Sequence, residues 1–323
     1  MAEHSPGADE TITVVMPVYN ALPYLHEAIA GILAQTHRSL VLAIYDDHST
    51  DGSHEVALDW AKRDPRITVV RGERRLGPCA SSNAAAALAA TELVARMDAD
   101  DIARPERLAR ELAVLRDNPD AVLVGSTFDM IDAQGRLLRR ATPGRILGHA
   151  PPFAHPSIMY RRRDFDAVGG YQPNTDYFED LGLYERLAQR GRLLVTARPL
   201  VSIRFAGQHP RLRDNRQKVL RKIDRQFHYR DSDASNPKVS VAAYYSVAVL
   251  SILALERPRM FGEILRRASF INPWRDMSAL AIVGIAEISP RLARFLGQSI
   301  ALLRERINVR ALGPGEVFEW KRC

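Results

Sequence analysis

The sequence predicts an α/β fold: a mostly parallel central sheet with helices on both faces, followed by a helical C-terminal region. Three observations carry this. Short apolar, β-branched runs alternate with helical patterns over the first hundred residues, as in sheets built from crossover units. Three of those runs end in polar or acidic groups, Pro17-Val18-Tyr19-Asn20, Asp46-Asp47 and Asp98-Ala99-Asp100. From about residue 211 onward the chain reads as helices with no strand alternation. A chain of 323 residues can bury a sizeable core in one or two domains.

The first strand is Thr11 to Val18, β-branched and apolar, and a helical pattern follows from Tyr24 to Gln35. Leu40 to Tyr45 is the second strand. Ser49-Thr50-Asp51-Gly52-Ser53 supplies turn and capping chemistry before a helix over 54–63. Ile67 to Val70 is the third strand, Ser81 to Ala90 an alanine-rich helix, and Glu92 to Met97 the fourth strand. Pro105 to Asn118 reads as a helix and Ala121 to Ser126 as a strand, with a hairpin turn at Asp132-Ala133-Gln134-Gly135. Residues 141–210 look irregular apart from a helix near Phe178–Arg190. The uncharged run Val239 to Leu255 spans 17 residues, at the short limit for a membrane span, and reads as a buried core helix.

The net charge of +7 is unevenly placed. Residues 1–210 carry 24 Lys+Arg against 27 Asp+Glu, whereas residues 211–323 carry 21 against 11. Such a basic segment suits an anionic membrane surface or a phosphorylated partner, and it also suits a solvated surface. Nucleic acid is not expected, because single-strand binding wants aromatics interleaved with arginine and only His228-Tyr229-Arg230 offers that. Two cysteines, Cys79 and Cys323, exclude a disulfide framework. The polar start, with no apolar signal region, leads us to expect a cytoplasmic protein. No Gly-x-Gly-x-x-Gly follows the first strand, which disfavours a dinucleotide oxidoreductase.

Ligands of open α/β sheets bind outside the carboxyl ends of the strands, so the three polar groups fall on one rim. Asp98, Asp100 and Asp101 repel one another there. A divalent cation shared with a phosphate-bearing ligand would relieve them, since hard cations take oxygen ligands. Helix capping or exposure to solvent are the plainer alternatives.

Val15-Met16-Pro17-Val18-Tyr19-Asn20, Gln35-Thr36, Asp46 through Ser53, Met97 through Asp101 and Phe178-Glu179-Asp180 follow one another in an order and spacing that resembles the family 2 inverting glycosyltransferases of GT-A (Rossmann-like) fold. The resemblance covers about residues 11–210. It implies a metal-dependent, non-processive enzyme of hexosyltransferase type. Such an enzyme moves one sugar from a nucleotide diphosphate-sugar, UDP-sugar first, to a hydroxyl of a glycan or lipid-linked glycan in polysaccharide or glycoconjugate synthesis. It implies nucleotide binding by Pro17, Val18, Tyr19, Asp46, Asp47 and Asp98. Asp100 of the DXD motif, with His209, would hold Mg2+ or Mn2+. Asp180 would be the general base, with Glu179 orienting it or the acceptor, and His155, Gly170 and Tyr171 would lie by the acceptor. Arginine often precedes the asparagine matching Asn83, but Ser82 stands there, so the phosphate-facing cation is either missing or supplied by Arg74 or Arg75. We expect a flexible 1–10, a nucleotide-sugar half 11–127, an acceptor half 128–210 and a basic helical region 211–323; the basic charge of that last region alone is the ground for expecting peripheral contact with the inner face of the cell membrane. A sugar nucleotidyltransferase and a non-catalytic scaffold with a basic tail are the alternatives.

Overall fold

The computed structural model describes residues 10–140, 153–172, 179–204 and 317–320, with a few positions between 239 and 292. The chain forms two compact units, the first made of residues 1–145, 151–204 and 313–323, the second of 146–150 and 205–312.

In the first unit, strands β1 (Ile12–Val18), β2 (Leu40–Asp46), β3 (Ile67–Arg71) and β4 (Leu93–Arg96) alternate with helices α1 (Leu22–Leu33), α2 (Ser53–Arg63) and α3 (Pro78–Ala87). After β5 (Ile102–Ala103) come α4 (Arg107–Asp117), β6 (Ala121–Ile131), β7 (Leu137–Arg140), β8 (Met159–Arg161), α5 (Arg162–Ala167), α6 (Glu179–Leu187) and β9 (Arg192–Arg204). Strand β10 (Val239–Ser240) pairs in parallel with β11 (Ala268–Ser269) in the second unit, and β12 (Val317–Trp320) returns to the first.

The central sheet runs β12-β9-β6-β8-β4-β1-β2-β3. Its β4-β1-β2-β3 half is parallel, as is β6 with β9, while β8 runs antiparallel between β4 and β6. Side chains alternate along β1. Val14 and Met16 join a core covered by Leu25, Ile29 and Ile32 of α1 and Leu108, Leu112 and Leu115 of α4. Val15 faces the opposite core, built with Ala85 and Ala86 of α3 and Leu183 and Leu187 of α6. Both faces are therefore buried, which is why β1 and β2 read as continuous apolar runs.

Three expectations need correction. Residues 141–210 contain β8, α5 and the 13-residue strand β9. Pro199 obscured β9: it lies between the residues that pair with β12 (Leu193 to Thr196) and those that pair with β5 (Val201 and Ser202), where no outer partner asks for its N–H. Val317–Trp320 is an edge strand rather than part of a helical tail, as its β-branched and aromatic composition favours. Within the uncharged run at 239–255, the described residues Val239 and Ser240 are strand. Among the described residues, no helix is long and apolar enough to cross a membrane.

Candidate active site at the sheet rim

Two loops leave the parallel strands side by side and are knitted together. Asp47 N–H donates to Val18 O at 2.8 Å, Asn20 N–H to Ser49 Oγ at 3.1 Å and Thr50 N–H to Asn20 Oδ1 at 2.9 Å. Ser53 Oγ accepts from Ala21 N–H and Asp51 Oδ2 from Leu22 N–H, at 2.9 and 3.0 Å. The string Asp46 to Ser53 thus locks the loop after β2 against the loop after β1. The N-cap of α2 is Gly52, so neither Ser49 nor Thr50 caps that helix as the sequence suggested.

Asp46 is fully buried, with its Oδ1 accepting Ser49 N–H at 3.1 Å. Its Oδ2 has no hydrogen-bond donor among the described residues and lies 3.4 Å from both His54 Nδ1 and Arg71 Nε. Asp47 accepts Leu76 N–H at 2.6 Å and Gly77 N–H at 2.9 Å, holding the segment that carries Arg75. Arg75 in turn stacks on Tyr19, its guanidinium carbon 4.0 Å from the ring centre. Val18 is buried, while Pro17 and Tyr19 are half-buried. Ser82 is buried within α3.

The acidic loop follows β4. Arg96 Nη1 lies 2.6 Å from Asp98 Oδ2, the positive partner that three adjacent carboxylates require. Burial first, then Asp98, raises Asp100 to about 6, against the opposing pull of Arg96 and Arg204. Burial with Asp100 and Asp98 likewise pushes Asp101 well above the usual carboxylate range. Asp101 Oδ1 accepts Arg204 N–H at 2.7 Å, so Asp101 anchors the loop to the end of β9 instead of capping α4. The loop's far end is fixed by Gln35, whose Nε2 donates to Arg104 O at 2.8 Å while its Oε1 accepts Leu108 N–H at 3.0 Å.

Asp98 and Asp100 offer adjacent carboxylate oxygens whose mutual repulsion a hard cation would relieve, so the donor chemistry fits Mg2+ or Mn2+. No cluster of three or more His, Cys, Asp or Glu groups suited to a metal occurs among the described residues, so such an ion would complete its shell with phosphate and water. His209 lies outside the described residues.

Across the sheet, His155 Nε2 meets Tyr171 Oη at 2.7 Å, and both Tyr171 and Tyr184 present ring edges to the imidazole. Burial and the charge of Arg96 lower His155 well below its ordinary value, keeping it neutral. The Tyr171 backbone is clamped by Asn83, which accepts its N–H at 2.8 Å and donates to its carbonyl at 2.7 Å. Gly170 has φ +61°, and a Cβ there would stand 2.6 Å from Asn83 Oδ1. Glu179 and Asp180 are the first two residues of α6, and Asp180 is half-buried. Asp180 precedes Tyr184 by four residues, which puts both on one helical face. A chain of neighbours therefore leads from Asp98 through Arg96 to His155, Tyr184 and the start of α6.

Arg96 and Arg204 were absent from the sequence reading, as were His54 and Arg71 beside Asp46. A charged residue inside the buried run Leu93-Val94-Ala95-Arg96 was the available signal for Arg96, since a buried charge needs a partner.

A parallel α/β sheet with carboxylates on the rim after its second and fourth strands is the layout of a GT-A nucleotide-sugar enzyme. The glycosyl transferase family 2 model matches residues 13–170. The Bacillus subtilis protein named putative glycosyltransferase EpsE is 30% identical over 187 residues, covering 56% of this chain and 67% of EpsE. The matches to the next two curated relatives cover 46% and 42% of their length. Two solved structures share the fold. S. aureus TarS 1-349 in complex with UDP aligns with TM-score 0.51 and 17% identity, covering 84% of this chain and 90% of that one. The mannosyltransferase PcManGT of Pyrobaculum calidifontis, in complex with GDP-Man and Mn2+, aligns with TM-score 0.55 and 18% identity, covering 94% and 89%. The chain belongs to glycosyl transferase family 2 and is a glycosyltransferase of GT-A fold.

Proposed function

We propose that the protein transfers one sugar, with inversion, from a nucleotide diphosphate-sugar to a hydroxyl group of a glycan or lipid-linked glycan. The observation that carries this reading is the convergence of Asp46, Asp98 and Asp100 on one rim, linked through Arg96 to His155 and the α6 face that bears Asp180. The donor would lie over the interlocked loops after β1 and β2. Asp46, through its buried Oδ2, suits an N–H or hydroxyl donor of the nucleoside. Tyr19 and Arg75 would flank the nucleotide, and Asp98, braced by Arg96, would take the ribose.

Asp100 would hold Mg2+ or Mn2+, which when bound neutralises the charge of the departing diphosphate. Asp180 accepts the proton of the acceptor hydroxyl as its oxygen attacks the anomeric carbon. The bond from that carbon to the diphosphate oxygen breaks on the opposite face, and its electron pair leaves with the nucleoside diphosphate. Glu179 orients the acceptor or Asp180, and neutral His155 with Tyr171 forms part of the acceptor wall. A UDP-sugar is the first donor to test. TarS is described with UDP and PcManGT with GDP-Man, so GDP donors stand next.

The test is calorimetric titration of UDP, GDP, dTDP and CDP, each with and without Mn2+, on the chain and on Asp180→Asn. One nucleotide is expected to bind only with metal. Asp180→Asn is expected to keep that affinity and lose transfer by at least about a hundredfold, the lower range for a general base. Full turnover by Asp180→Asn would remove it as the base. Absence of binding by all four nucleotides to folded protein would leave a non-catalytic scaffold.

A further inference from the structure

Arg204 ends β9 behind the acidic loop, its side chain 2% exposed. Its Nε donates to Asp100 O at 2.9 Å, and its Nη1 to Asp132 O and Ala133 O, each at 3.2 Å. Its Nη2 binds Glu27 Oε2 on α1. Four of the five guanidinium N–H donors are thereby used. The Tyr24 ring lies 4.5 Å from the guanidinium carbon, and the Arg204 backbone N–H holds Asp101 Oδ1.

We propose that Arg204 is a positioning residue for the acidic loop, its guanidinium tying that loop to helix α1 and to the β6–β7 turn and so fixing where Asp100 and Asp101 stand. The inference rests on the reading of Asp100 as the cation-holding carboxylate. Two physical points favour it over a role in stability alone. A buried arginine is a poor source of net stability, since an apolar side chain of similar volume often does as well. The three carbonyls it gathers belong to a loop and a turn with no strand ladder of their own, so their relative placement needs an external tie. The planar fork and the face stacked on Tyr24 also exclude lysine as an equivalent, because an ammonium is a point charge with three rotating donors.

The experiment compares the full chain with Arg204→Met, Arg204→Lys and Glu27→Gln. Hydrogen exchange without ligand is read for residues 98–104 and 132–136, and Mn2+ affinity is read with and without UDP or GDP. Arg204→Met is expected to lose protection in those two stretches while the rest of the sheet keeps it. Its Mn2+ affinity is expected to fall by about tenfold to a hundredfold, the usual cost of removing a partner that orients a ligand. Arg204→Lys is expected to regain some Mn2+ affinity and little protection. Glu27, whose side chain is 54% exposed, can be changed without emptying a core site. Glu27→Gln is expected to weaken Mn2+ binding several-fold, speed exchange at 98–104 and leave the melting temperature unchanged. Unchanged exchange and affinity in folded Arg204→Met overturn the proposal. If that variant does not fold, unchanged exchange and affinity in Glu27→Gln do so. Failure of the parent chain to bind Mn2+ or nucleotide instead removes the reading of Asp100, and the exchange pattern still decides the role of Arg204.

Discussion

Gly169 and Gly170 are adjacent and both hold positive φ, +73° and +61°, yet they carry different loads. Nothing stands within 4 Å of a Cβ built on Gly169, whereas one on Gly170 would meet Asn83 Oδ1 at 2.6 Å and Phe165 Cε1 at 3.0 Å. A left-handed backbone costs a residue with a side chain about 1–2 kcal/mol at either position. At Gly170 the Asn83 clamp on Tyr171 must also give way, and a lost hydrogen bond adds about 1 kcal/mol. Gly170→Ala is therefore expected to destabilise the chain by about 2–3 kcal/mol and Gly169→Ala by about 1–2 kcal/mol. Denaturant unfolding of both variants checks this, and equal losses would mean that the Asn83 contact carries no weight. The load on Gly170 was not legible in the sequence, because Asn83 is 87 residues away from it. The same holds for Arg204 and Asp101. The rim carboxylates were legible because each directly follows an apolar strand, so position and chemistry are adjacent in sequence. Their cations differ in this respect: Arg96 precedes Asp98 by two residues, whereas Arg204, at the end of β9, is 104 residues from Asp100.

At the scale of elements, α4 supports β4 through a buried ion pair. Arg107 and Glu111, one helical turn apart and both fully buried, face each other with Arg107 Nε at 3.1 Å from Glu111 Oε1. Arg107 Nη2 also reaches Arg96 O at 2.8 Å, beneath the arginine that braces Asp98. Burial raises Glu111 from 4.5 to about 7, with Arg107 opposing the shift. The folded chain therefore holds this proton more tightly than the unfolded chain does. The resulting stability is fully present below pH 4.5 and is lost as pH rises through about 7. Over that window the loss is on the order of 3 kcal/mol. Glu111→Gln is expected to remove this part of the slope, leaving unfolding free energy flatter between pH 4.5 and 7. Equal slopes in the two proteins would show that Arg107 compensates burial in full. The βα alternation that placed α4 and β4 was readable because β1 and β2 are buried on both faces and read as continuous apolar runs. Strand β9 was not, since Arg198 and Pro199 interrupt its pattern and only its neighbours β6, β12 and β5 justify the extended conformation.

Over the whole molecule the charge is unevenly distributed. Residues 1–210, which carry the rim site, are slightly acidic, while residues 211–323 hold an excess of ten positive charges. An acceptor carried on a lipid would bring the enzyme to an anionic surface, where a basic excess would favour binding. Each lysine or arginine near such a surface contributes about 1 kcal/mol, so a few suffice for reversible binding without a membrane span. The attraction fades beyond about 8 Å at physiological ionic strength, which makes salt the diagnostic variable. The full chain is expected to sediment with vesicles containing anionic phospholipid at low salt and to release them by about 0.5 M salt. Neutral vesicles are expected to retain little. Oligonucleotides of matched charge are expected to compete weakly, because stacking aromatics beside the arginines are sparse. Equal binding to neutral and anionic vesicles would assign retention to apolar contact. Full displacement by oligonucleotide would mean that the basic region recognises polyanions in general, and the lipid-linked acceptor would then lose its physical support while a soluble glycan acceptor kept its own.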